Sequence, residues 1–148
     1  MTVLEEKVFA RHAAQDHPFQ PVQIVKTITG RFLHRGQFVR AQDLFDEMYA
    51  SLADRSTRQL LKRLARLDLL LIDEFGYLNL KPEQSNIFFK LMEERYHRHS
   101  TIITTNLSYE EWPNFLGNRP MVEALLSRIR HYCHTVHITG PSLREPQG

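Results

Sequence analysis

Apolar and polar positions change rhythm several times along this chain, and each change marks an element. The sharpest change is at Leu69-Leu70-Leu71-Ile72, four aliphatic residues without polar alternation that stop on the adjacent carboxylates Asp73-Glu74. Such a run fits a strand buried on both faces, as in a parallel sheet covered by helices. Upstream, Gln37-Phe38-Val39-Arg40 reads as a short strand, and residues 42–53 as a helix with Leu44, Phe45, Met48 and Leu52 on one stripe. Asp54 or Ser56 caps the next helix, which turns Leu60, Leu61, Leu64 and Leu67 inward. Its other side carries Arg58, Lys62, Arg63 and Arg66.

Beyond the acidic pair, Gly76 turns the chain, and Pro82 suits the first turn of a helix burying Ile87, Phe88, Leu91 and Met92. That helix runs out in a basic stretch over residues 95–99. The β-branched segment Ser100–Thr105 is a strand with Asn106 at its carboxyl end. Ser108-x-x-Glu111 matches a capping box opening a short helix closed by Gly117. Pro120 starts a helix with Val122, Leu125, Leu126 and Ile129 on one stripe, and residues 134–139 form a last strand. Residues 1–30 are the least patterned: Val3-Leu4 and Val8-Phe9 fit one face of a short helix, and residues 22–28 fit a strand or a first helical turn. Strands alternating with helices give an α/β fold with a mostly parallel sheet.

Composition narrows this picture modestly. At 148 residues, 42% of them hydrophobic, the chain has the size of one domain with a real core. The net charge of +2 neither demands nor excludes a nucleic-acid partner. Cys133 is the single cysteine, so no intramolecular disulfide forms and a cytoplasmic setting is expected. The apolar runs are far too short to span a bilayer, and a start carrying Glu5 and Glu6 is not expected to be a signal peptide.

The candidate chemistry sits at strand ends, because ligands of open α/β sheets bind outside the carboxyl ends of the strands. Asp73 is placed to hold a magnesium ion and Glu74 to polarise a water, the Walker B pattern of ATPases; the plain alternative is a solvated acidic turn. If the two strands are neighbours, Asn106 lies near Glu74 and can hold the water or a phosphate oxygen; otherwise it is a turn asparagine. Arg128, at the edge of its helix stripe, fits an arginine finger reaching a neighbouring subunit's nucleotide, or a solvated side chain. Arg58, Lys62 and Arg63 head a basic face suited to DNA phosphates, as is a second patch with Arg95 and Arg98; a merely solvated surface is the alternative. His131, Cys133, His134 and His137 lack metal-ligand spacing. The phosphate-loop motif G-x-x-x-x-G-K-[ST] occurs nowhere in the sequence.

Taken in order, several short segments resemble the IstB family, the ATP-binding helper proteins of insertion-sequence transposition, which are related to the helicase loader DnaC within the AAA+ ATPases. They are Asp68-Leu69-Leu70-Leu71-Ile72-Asp73-Glu74-Phe75-Gly76-Tyr77-Leu78, Glu94-Arg95-Tyr96, and Ser100-Thr101-Ile102-Ile103-Thr104-Thr105-Asn106-Leu107. Glu111-Trp112, Leu125-Leu126-Ser127-Arg128 and Gly140-Pro141-Ser142-Leu143-Arg144 complete the series. The resemblance covers residues 30–148 as a partial ATPase domain and leaves residues 1–29 unmatched. It implies a P-loop NTPase fold of AAA+ type, a three-layer sandwich with a mostly parallel sheet. The first strand and phosphate loop are expected to be missing or replaced, with residues 22–28 the segment able to fill the gap at the sheet's middle. It implies Asp73 as the magnesium aspartate, Glu74 as the catalytic glutamate, Asn106 as the sensor and Arg128 as the arginine finger. It implies ATP and Mg2+ as cofactors, with double-stranded DNA, a transposase and further copies of the chain as partners. The chain is expected to be a truncated or rearranged family member that binds ATP weakly, or a non-hydrolysing module that binds DNA or a partner.

Overall fold

The structure, a computed structural model, describes residues 2–6, 35–76 and 78–138. Five strands, β1 (Thr2–Glu6), β2 (Gly36–Arg40), β3 (Leu69–Phe75), β4 (Ser100–Thr105) and β5 (His134–Ile138), form one sheet in the order β2-β3-β4-β1-β5. Every pairing is parallel. Phe38, Leu71 and Ile102 lie in register across β2, β3 and β4, and Leu4 stands between Thr104 and Val136.

The strand between β4 and β5 comes from an unexpected place. Thr2–Glu6, whose Val3-Leu4 fitted a short helix by pattern, pairs with β4 on one side and β5 on the other. A five-residue segment has too little periodicity to separate helix from strand. Two neighbours offering unpaired backbone decide the matter, because each extended residue then satisfies its N–H and C=O. The alternative filler, residues 22–28, lies outside the described residues.

The helices α1 (Ala41–Ala53), α2 (Thr57–Ala65), α3 (Pro82–Arg95), α4 (Trp112–Leu116) and α5 (Arg119–Tyr132) supply the crossovers. All of them contribute to one core with Leu70, Ile72 and Ile103 of the sheet. The stripes expected from the sequence bury Leu44, Phe45 and Met48 of α1, Leu60, Leu61 and Leu64 of α2, and Ile87, Phe88, Leu91 and Met92 of α3. Leu52 departs from its stripe and is 41% exposed, because the inward position of the last turn is taken by the buried Ser51. Each fully buried Leu or Ile contributes about 1.5–3 kcal/mol, so this one face of the sheet carries most of the stabilisation visible here. The opposite face presents Leu69 and Leu71 with Phe38 and Ile102, in strict alternation with the first set.

Two polar side chains lock this layer. The buried Gln84 donates its amide to the carbonyl of Phe45 (2.9 Å) and accepts from the N–H of Lys81 (2.8 Å), fixing the start of α3 against α1. Arg95, which the sequence pattern placed in a surface basic patch, is instead 1% exposed. Its guanidinium donates to the carbonyls of Leu64, Leu67 and Ser100 and to the hydroxyl of Thr101. It thereby closes the carboxyl end of α2 and ties α3 to the first residues of β4.

Candidate functional site

The carboxyl end of β3 is not a regular strand end. Ile72 pairs with Ile103, yet Phe75 pairs with Thr105, so three steps along β3 match two along β4. The extra residue is a β-bulge, and Glu74 adopts the left-handed conformation it requires, at φ 58°. The bulge inverts the alternation: Phe75 turns to the same core as Leu70 and Ile72, where it stacks on Trp112 with ring centres 4.9 Å apart. Asp73 stays half-buried and Glu74 is left exposed at the rim. A left-handed non-glycine residue costs about 1–2 kcal/mol, and such strain collects at functional sites.

The neighbouring strand braces this bulge. The hydroxyl of Thr104 donates to the Asp73 carboxylate and accepts the backbone N–H of Glu74 at 3.1 Å. One hydroxyl therefore orients the aspartate and replaces the ladder partner that the bulge takes from Glu74. Thr105 donates to the Phe75 carbonyl (2.5 Å) and accepts the Leu107 N–H (3.0 Å), which turns the chain sharply after β4. Asn106 is brought to the same edge as Asp73 and Glu74. Its Oδ1 lies 3.4 Å from where a Cβ on Gly76 would stand, and it is exposed and hydrogen-bonded to neither carboxylate. Gly76 itself sits at φ +126°, and an added Cβ would come within 2.6 Å of Leu107, so the two turns pass each other only because no side chain intervenes there.

Arg40, at the end of β2, was not singled out from the sequence. It is in register with Asp73, and its guanidinium donates to Asp43 at 3.0 Å. Asp43 chiefly, and Glu74 and Asp73 further off, push the Arg40 pKa up from its ordinary value. The acidic pair thus has a cation beside it. The signal that could have found both Thr104 and Arg40 is strand register, which places them level with the carboxylates.

Arg128 is not brought to this edge. It lies on α5 with Glu93 at 3.6 Å, and its guanidinium stands 5.8 Å from the centre of the Tyr96 ring. It lines a cavity of about 400 Å³ that also touches Ser100 and Thr101, at the amino end of β4. Arg128 therefore cannot serve the carboxylates of its own chain. The proposed DNA residues also divide: Arg58 and Lys62 line an open groove between α2 and α3, whereas Arg63 turns away to Glu47 (2.6 Å) and Gln37 (3.1 Å).

The chain that carries this acidic strand end is similar to known proteins. Residues 26–147 match the family model described as IstB-like ATP binding protein. The chain belongs to the IstB-like ATP-binding protein family. A protein named as an ATP-binding protein of insertion sequence IS232, from Bacillus thuringiensis subsp. berliner, is 34% identical over 107 residues, covering 72% of this chain and 43% of that protein. Another, named for insertion sequence IS21, from Pseudomonas aeruginosa, is 30% identical over 111 residues, covering 75% of this chain and 42% of that protein. The chain thus spans less than half the length of either relative. A structure of the DnaC helicase loader superposes with a TM-score of 0.68 at 24% identity, over 93% of this chain and 76% of that one. DnaI superposes with a TM-score of 0.64 at 19% identity, over 78% of this chain and 63% of that one. The fold of this IstB-like chain is accordingly α/β and of the AAA+ P-loop type.

The donor set partly fits magnesium-bound ATP. Asp73, oriented by a hydroxyl and half-open to solvent, suits an ion that takes one or two protein carboxylates and keeps several waters. The phosphates normally rest on a Gly-rich loop ending in Lys-Ser or Lys-Thr, and the sequence has Lys26-Thr27 without the preceding glycine pattern.

Proposed function

We propose that this IstB-like chain acts in an ATP-binding helper of DNA transposition, and that it supplies the magnesium-binding and water-orienting half of the nucleotide site. The observation that carries the reading is the convergence of Asp73, Glu74, Thr104 and Asn106 on one sheet edge around a strained bulge. Asp73 would hold Mg2+, which would neutralise phosphate charge. Glu74, projecting from the bulge, orients and polarises the attacking water, and Asn106 holds that water or a phosphate oxygen. Arg128, on the far edge, would act only on the nucleotide of a neighbouring copy, so a working site needs an oligomer. Double-stranded DNA and a transposase are the partners of this reading, and the cytoplasm its setting. No helix among the described residues is long and apolar enough to cross a membrane.

A second reading is favoured by one observation, the lack of the G-x-x-x-x-G-K-[ST] motif. Under it the chain is a non-hydrolysing module that binds DNA or a full-length relative. Titration with a fluorescent ATP analogue, with and without Mg2+, separates the two. We expect binding weaker than micromolar and turnover near background for the chain alone. Restoring a phosphate loop should recover both, and Glu74→Gln should then abolish hydrolysis and spare binding. Loss of binding and hydrolysis together in that variant would remove Glu74 from the water-orienting role.

A further inference from the structure

Helices α2 and α3 lie side by side, their inner faces joined through Leu60, Leu61, Leu64, Ile87 and Leu91 in the common core. Their outer rims bound an open groove of about 730 Å³ that runs toward the helix ends leading into β3 and β4. Arg58, Lys62 and Arg66 line it from the side of α2, and Lys90, Arg98 and His99 from the side of α3. Glu94 is the single carboxylate in the lining. Two basic stretches that are far apart in sequence therefore form one surface.

These cations also differ from their neighbours in company. Arg35, Arg40, Arg63, Arg119, Arg128 and Arg130 are each paired with a carboxylate. Arg58, Lys62, Arg66, Lys90 and Arg98 are in no ion pair among the described residues. Five unpaired positive groups converging from two helices repel one another, and a polyanion laid in the groove relieves that repulsion while releasing its own counterions.

We propose that this groove is the site at which the chain grips the phosphate backbone of double-stranded DNA, an inference that rests on the DNA partner proposed above. The duplex is favoured over a single strand on two grounds. Apart from the His99 imidazole the lining has no aromatic ring, so unpaired bases have nothing to stack on. A duplex also presents its phosphates at higher linear density to a rigid pair of helices. Arg63, which shares the helix, takes no part because it is turned to Glu47. The groove opens away from the Asp73 edge, so DNA binding does not require nucleotide in the same chain.

The test uses the whole chain and a fluorescein-labelled duplex of about 20 base pairs, titrated by anisotropy across a salt series. The double variant Lys62→Ala with Arg98→Ala should flatten the salt slope by about 2 and weaken binding roughly 50-fold near 0.1 M salt. The control double Arg119→Ala with Arg130→Ala removes the same net charge from α5 and should leave the slope unchanged. Circular dichroism establishes that both variants are folded. Equal effects of the two doubles, or no effect of the groove double on a chain that binds, would overturn the groove while leaving a DNA partner intact. A wild-type chain that ignores the duplex even at low salt would remove the DNA partner and the groove together. Tighter binding of the matching single strand would overturn the preference argued from the lining.

Discussion

Arg95→Met isolates the cost and the benefit of a buried charge. The wild-type side chain is 1% exposed and has no ion-pair partner among the described residues; burial pulls its pKa down to about 10, with Asp68 opposing only at a distance. At neutral pH the group is still charged, and the depression corresponds to a burial cost of about 3 kcal/mol. Against this stand the carbonyls of Leu67 (2.8 Å) and Ser100 (2.5 Å) and the buried Thr101 hydroxyl (2.9 Å), which lose this donor in the variant, whereas the Leu64 carbonyl keeps the backbone N–H groups of Arg66 and Leu67. Each of these three polar groups left without a partner costs about 1–3 kcal/mol. Methionine fills nearly the same volume, so no large cavity opens. With mid-range values the balance is a loss of about 3 kcal/mol, or a fall of about 1.5 M in the urea midpoint for a slope near 2 kcal/mol/M. Arg95→Lys keeps the charge and its burial cost but replaces the planar fork by one point donor, so it should be no better than methionine. Because burial lowers the folded-state value, the unfolded chain holds this proton more tightly. The burial cost is therefore constant below about pH 10 and is relieved only above it. A midpoint shift below about 0.3 M for methionine, or wild-type stability for lysine, would refute this role of Arg95.

Glu74→Gly should raise stability by about 0.5–1 kcal/mol in the same assay, since glycine adopts φ 58° without strain, and it should leave any nucleotide turnover at background. Thr104→Val should cost about 1–2 kcal/mol and weaken Mg2+-dependent nucleotide binding, whereas Thr104→Ser should restore both, because only the hydroxyl joins Asp73 to the Glu74 amide. Gly76→Ala should cost about 2 kcal/mol, as a positive φ and a close approach to Leu107 are both violated; a shift below about 0.5 kcal/mol would show that the two turns separate freely. Trp112, the single tryptophan, is fully buried against Phe75, so its emission should be blue-shifted in the folded chain and should move red on unfolding together with the circular dichroism signal.

Much of this architecture was legible because buried strands and amphipathic helices repeat at fixed periods. The aliphatic run before Asp73, the β-branched run before Asn106 and the stripes of α1 to α3 each follow directly from which side faces the core. Thr2–Glu6 was not legible, because a short interior strand owes its state to its neighbours β4 and β5. Arg95 was misread for a related reason. Its charge signals surface, and only tertiary structure reveals the carbonyls that receive it. At the site, sequence pointed to Asp73, Glu74 and Asn106 as groups sharing an edge. It gave no sign of Thr104, whose hydroxyl looks like that of any strand threonine until register sets it opposite the acidic pair. Arg58, Lys62 and Arg66 were visible as one basic face and Arg98 as part of another, but Lys90 and Arg98 join the first only because α2 and α3 pack together.

The inverted alternation at Asp73-Glu74 makes this stretch a counting device. Every side chain before it and after it faces the right way only if one surplus residue sits between Ile72 and Phe75. A single-residue deletion there would leave the chain hydrophobic, helical and strand-forming by every compositional measure. It would nevertheless rotate Phe75 off its aromatic neighbours Phe45, Phe88 and Trp112. Substitutions at Asp73 and Glu74 are therefore open to laboratory or natural variation, whereas changes of length are not. A descendant that had abandoned its chemistry altogether would still be obliged to keep two residues in this place.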